Sequence, residues 1–86
     1  MSESLISSTH DLEILAYILI LLYEISQGYN TVQYRWRVLK LLSKLDNTEL
    51  AARLSKTFDA EWINKSVTGS SIVLLERMVV SELQGA

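Results

Sequence analysis

The sequence predicts an all-α domain, a compact bundle of four short helices, and three observations carry that prediction. Its 86 residues include no proline and three glycines, so little interrupts a helix and the few breaks stand out. Hydrophobic residues make up 49% of the chain, enough for one core and more than a disordered chain carries. The apolar positions recur at intervals of three and four, the spacing that gathers side chains on one helical face. Residues 1–86 therefore read as a single helical domain, with 1–7 as a flexible N-terminal tail. A chain of this length buries roughly 60–65% of its unfolded surface, so oligomerisation is expected to complete the bundle.

The first helix is expected to open at Ser7-Ser8-Thr9, where a hydroxyl can accept a bond from a free N–H and Asp11 and Glu13 suit the positive end. Gly28 is its natural stop. Between them, Leu12 to Gln27 is apolar almost all round, the pattern of a central helix. The apolar run from Ile14 to Tyr23 would cover about 15 Å as a helix, half of a hydrocarbon core. Lengthening it to span a bilayer would enclose Asp11, Glu13, Glu24 and Gln27, so no membrane span is expected.

A second helix follows the Gly28-Tyr29-Asn30 turn, with Asn30 or Thr31 as cap, and runs to about Leu45. Tyr34, Val38, Leu41, Leu42 and Leu45 form its core stripe, while Gln33, Arg37, Lys40 and Lys44 share the opposite face. Asp46 and Glu49 then have the spacing of a capping box and should start a third helix. Leu50, Leu54 and Phe58 are its apolar stripe. Asp59 can cap a fresh turn, so a bend is expected near Phe58 and Asp59, which would raise the number of helices to five. After Val67-Thr68-Gly69-Ser70-Ser71, the segment IVLLERMVVSEL is rich in β-branched residues but too long for a typical buried strand. Read as a helix capped by Ser70 or Ser71, it places Ile72, Leu75, Val79 and Leu83 on one face.

Charge is unevenly distributed. Residues 1–30 hold Glu3, Asp11, Glu13 and Glu24 and no Lys or Arg, whereas residues 31–56 hold Arg35, Arg37, Lys40, Lys44, Arg53 and Lys56 against Asp46 and Glu49. Such a basic island points to an acidic protein partner or to nucleic acid using residues 35–56. A pI near 5.2 favours the protein, because nucleic-acid modules are usually basic overall.

No cysteine is present, which removes disulfides, thiolate nucleophiles and cysteine zinc sites and fits a cytoplasmic location. The acidic, hydroxyl-rich N-terminus does not read as a secretory signal. His10 with Glu13 supplies two ligands, too few for a metal. No nucleophile–base pair or phosphate-cradling glycine loop is visible, and Glu61 with Asp59 beside Trp62 reads as a solvated helix start. The chain is accordingly read as non-enzymatic, without metal or cofactor. TELAARLSKTFDAEWINKSV carries part of a helix-turn-helix pattern, but Ser55, Lys56, Asp59 and Glu61 fit that motif badly.

Two surfaces remain as candidates for binding. On the first helix, Tyr17 and Ile20 share a face with Glu13, Glu24 and Gln27, giving a polar face an apolar middle; Tyr17, Ile20 and Glu24 are read as a self-association site forming a homodimer, with the fourth helix as the alternative surface. Tyr29, Arg35, Trp36, Arg37, Lys40 and Lys44 mix aromatic and basic groups, the composition of binding hot spots, and are read as a partner site.

Overall fold

The computed structural model describes residues 9–29, 31–69 and 71–85. These form α1 (Thr9–Ser26), α2 (Thr31–Leu42), α3 (Thr48–Thr68) and α4 (Val73–Gly85). The expected tail, residues 1–7, and the expected caps Ser7, Ser8, Asn30 and Ser70 lie outside the described residues.

Glycine ends the helices where the sequence places it. Gly28 takes φ +91°; its N–H donates to the Ile25 carbonyl at 3.0 Å, and the Tyr29 N–H donates to the Glu24 carbonyl at 3.4 Å. That pair of bonds satisfies carbonyls that the end of α1 would leave free. Gly69, at φ +76°, closes α3 through a 2.8 Å bond from its N–H to the Lys65 carbonyl.

Three boundary expectations change. α2 stops at Leu42, because the N–H groups of Lys44 and Leu45 bond three residues back, to Leu41 and Leu42, and tighten the chain out of the α-helix. Leu45 stays buried beyond that end. The cap of α3 is Asn47 rather than Asp46: the Asn47 side chain accepts from the Leu50 N–H at 3.0 Å. Asp11, reaching over from α1, accepts from the N–H groups of Asp46 at 2.8 Å and Asn47 at 3.1 Å, which fixes the entry one residue later than the capping box implies.

No bend occurs at Phe58 and Asp59, and α3 runs unbroken for 21 residues. Asp59 reaches sideways to Arg35 at 3.6 Å instead of capping a new turn. Phe58 is fully buried, and its ring meets Trp62 at 5.7 Å, carrying the apolar stripe past Asp59. One continuous helix over this stretch also removes the helix-turn-helix reading, which requires two helices with a turn between them.

Each helix packs on two others: α1 on α2 and α4, and α3 on α2 and α4, so α1 and α3 lie on a diagonal. Neighbours run antiparallel. His10 near the start of α1 lies beside Lys44 beyond the end of α2, Arg35 near the start of α2 meets Asp59, and Glu61 late in α3 meets the start of α4. The result is an up-down-up-down bundle. Its core comprises Ile14, Leu15, Ile18, Leu22 and Ile25 from α1, Val38 and Leu42 from α2, Leu45, Leu50, Leu54 and Phe58 around α3, and Ile72, Leu75 and Val79 at α4.

The chain exposes 5544 Å², close to the roughly 5,200 Å² that a folded monomer of its mass exposes. The buried core draws on all four helices of the one chain. Among the described residues, no helix is long and apolar enough to cross a membrane.

Candidate interaction surface

The buried stripe of α1 uses Ile14, Leu15, Ile18, Leu22 and Ile25, so helical periodicity turns Glu13, Ala16, Tyr17, Ile20 and Tyr23 outward. Tyr17 is 61% exposed and Ile20 54%. These two side chains form a ridge between two hollows. On one side, a groove of about 390 Å³ runs between α1 and α2, with Tyr17, Ile20, Leu21 and Leu41 as its apolar lining and Arg37, Lys40 and Lys44 along its other wall. On the other side, Glu13, Ala16, Tyr17 and Ile20 line a second hollow of about 370 Å³.

Arg37, Lys40 and Lys44 follow at intervals of three and four, a stripe about 10 Å long. Among the described residues none of them pairs with a carboxylate, although the Arg37 guanidinium lies 5.3 Å from the centre of the Tyr34 ring. Trp36, 69% exposed, lines the next hollow along α2 with Arg37, Leu39, Lys40 and Ser43.

Other residues of the predicted sites lie elsewhere. Arg35 faces α3, where it meets Asp59 and lies 5.6 Å from the Trp62 ring centre. Tyr29 leans on Tyr34 at 6.2 Å between ring centres. Glu24 is turned toward α2, where its carboxylate acts on the Tyr34 phenol. Burial, then the charge and hydrogen bond of Glu24, push the Tyr34 phenol above its usual pKa; Arg37 opposes this and Tyr29 adds to it. Arg53 borders a separate groove against α4, with Arg77 and Glu82. The basic island of the sequence is therefore split over two faces.

His10 meets Asp11 and Asp46 rather than Glu13, with one potential ligand atom from each within 4.8 Å of the others. Both Asp11 oxygens already accept backbone N–H groups, and His10 Nε2 lies 3.1 Å from the Lys44 carbonyl. This cluster fastens α1 to the turn before α3. Glu61 is equally committed, accepting from the N–H groups of Leu74 at 2.9 Å and Leu75 at 2.6 Å at the start of α4. Of the two carboxylates nearest to a catalytic arrangement, Asp59 holds Arg35 and Glu61 caps a helix.

The sequence reading missed Leu21 as groove lining and Leu41 as only partly buried. Leu21 sits in an apolar run whose outer and inner positions periodicity alone does not separate. Compared with protein-family models, curated proteins and solved structures, the chain matches none of them. The geometry defines a class: a small four-helix bundle with an apolar ridge and groove edged by cations.

Proposed function

We infer that this chain is a non-enzymatic helical protein–protein interaction module, an adaptor, inhibitor or assembly factor, that self-associates through its α1–α2 face. The observation that supports this is the ridge of Tyr17 and Ile20 beside a groove walled by Arg37, Lys40 and Lys44. Exposed aromatic and branched residues next to an elongated apolar groove are what helix-in-groove recognition uses. Tyrosine and arginine are also the residue types that dominate binding energy at interfaces.

Nucleic-acid binding is the weaker reading. Of the six cations in residues 31–56, only Arg37, Lys40 and Lys44 line this groove, a small footprint for phosphate neutralisation.

Solution mass over a concentration series, at low and at high salt, tests the reading. A dimer that persists at high salt is expected, since apolar contact is little screened. A monomer at every concentration would overturn self-association. Binding to an oligonucleotide that collapses as salt rises would transfer the α2 wall to the nucleic-acid reading.

A further inference from the structure

We propose that two copies pair about a two-fold axis running parallel to α1, so that the Tyr17–Ile20 ridge of each enters the α1–α2 groove of the other and Glu13 of each meets Lys40 and Lys44 of the other. This rests on the self-association proposed above and gives it an orientation. The occupant is a second copy because α1 is itself the helix the groove calls for. It presents an apolar outer stripe with the exposed carboxylate of Glu13 in line with it; the groove offers an apolar lining and three cations without a carboxylate partner among the described residues.

Shape and charge select the same axis. Across the face of one copy the order is the hollow beside Ala16, the ridge with Glu13 in line at its N-terminal end, the groove, and then the cations of α2. A closed pair places this face on its own copy through a two-fold axis lying in the interface. An axis perpendicular to α1 leaves that order unchanged but reverses position along the helix, so ridge would meet ridge, each groove would stay empty, and Glu13 would lie far from Lys40 and Lys44 of the other copy. An axis parallel to α1 reverses the order. Each ridge then slides into the opposite groove, the two α1 helices run parallel, and Glu13, carried in line with the ridge, comes to the Lys40 and Lys44 wall of the other copy's groove.

Reciprocal charge exchange tests this. Glu13→Lys alone and Lys40→Glu alone should each weaken the dimer about tenfold or more, because each sets like charges together twice. Mixed in equal amounts, the two variants should recover a dimer. The lysine introduced in one variant then faces the glutamate introduced in the other, and the unaltered Lys40 of the first faces the unaltered Glu13 of the second. Both positions are exposed, so folding is expected to survive, with circular dichroism as the check. A spin label on a cysteine at Gln27 gives a second measurement. Parallel α1 helices bring the two labels within about 15 Å, whereas antiparallel helices crossing at Ile18 separate them by about 27 Å.

The outcomes separate the claims. Recovery on mixing together with the short distance supports the pairing. A dimer lost through Ile20→Glu but not recovered by the charge exchange would overturn the orientation and leave the face standing. A dimer indifferent to Ile20→Glu would remove the face while self-association stands, and a wild-type monomer throughout would overturn both.

Discussion

Asp11 shows how a single carboxylate can do more than its position in the sequence announces. It reads as a residue suited to a helix start, yet it is 2% exposed and accepts two backbone N–H groups from a turn 35 and 36 residues away. Asp11→Ala leaves two part-buried donors without their acceptor and should cost about 2 kcal/mol. Asp11→Asn, which keeps one acceptor oxygen, should cost about half as much, with urea midpoints giving the ranking. Tyr34 carries a pH prediction. Its phenol is raised above 10.0, first by burial and then by Glu24, so the folded state holds its proton more tightly than the unfolded chain. The resulting stability is present below about pH 10 and is lost as pH climbs through the raised value. Glu24→Gln should bring the Tyr34 titration down without restoring the ordinary value, because burial remains. Ring carbon shifts followed by NMR distinguish Tyr34 from the other tyrosines, and an unchanged midpoint would remove Glu24 as a cause.

At the scale of elements, α4 depends on a side chain from another helix. Its first turn receives the Glu61 carboxylate at Leu74 and Leu75, a tertiary version of the cap that local sequence assigns to a serine. Glu61→Ala should cost about 1 kcal/mol and speed amide exchange at those two residues about tenfold, while the core amides of α1 hold. Gly69→Ala acts on the same junction: at φ +76° a Cβ costs roughly 1 kcal/mol. These cases mark what is legible in the sequence. The four helices and their buried stripes follow from local periodicity, and Gly28 and Gly69 end helices for reasons that lie within a few residues. Asp59 and Asp46 mislead because their local chemistry permits a cap, and only the fold reveals that Arg35 and Asp11 take up those groups instead. The binding residues divide the same way: periodicity exposes Tyr17, Ile20, Arg37, Lys40 and Lys44, but it cannot show that α1 and α2 set them around one groove while turning Arg35 and Glu24 to other partners.

For the whole molecule, the decisive feature is that all four helices of one chain share a core while an apolar ridge stays outside it. Folding and association are then separable, which a protein needing its partner to complete the core would not allow. Ile20→Glu should leave the isolated fold within about 0.5 kcal/mol of wild type, since the side chain is already largely in water. In the wild type, pairing adds to stability by mass action, reaching about 2.7 kcal/mol at a hundredfold excess over the dissociation constant. In a domain of this size each kcal/mol raises the melting temperature by about 4–8 °C. The wild-type melting temperature should therefore climb with protein concentration and that of Ile20→Glu should stay flat, the two converging at high dilution. Scanning calorimetry over a hundredfold concentration range reads this directly. Parallel curves for the two proteins would mean that Ile20 contributes nothing to association. A variant that melts lower even at high dilution would mean that Ile20 supports the monomer itself, and that the ridge belongs to the core rather than to the surface.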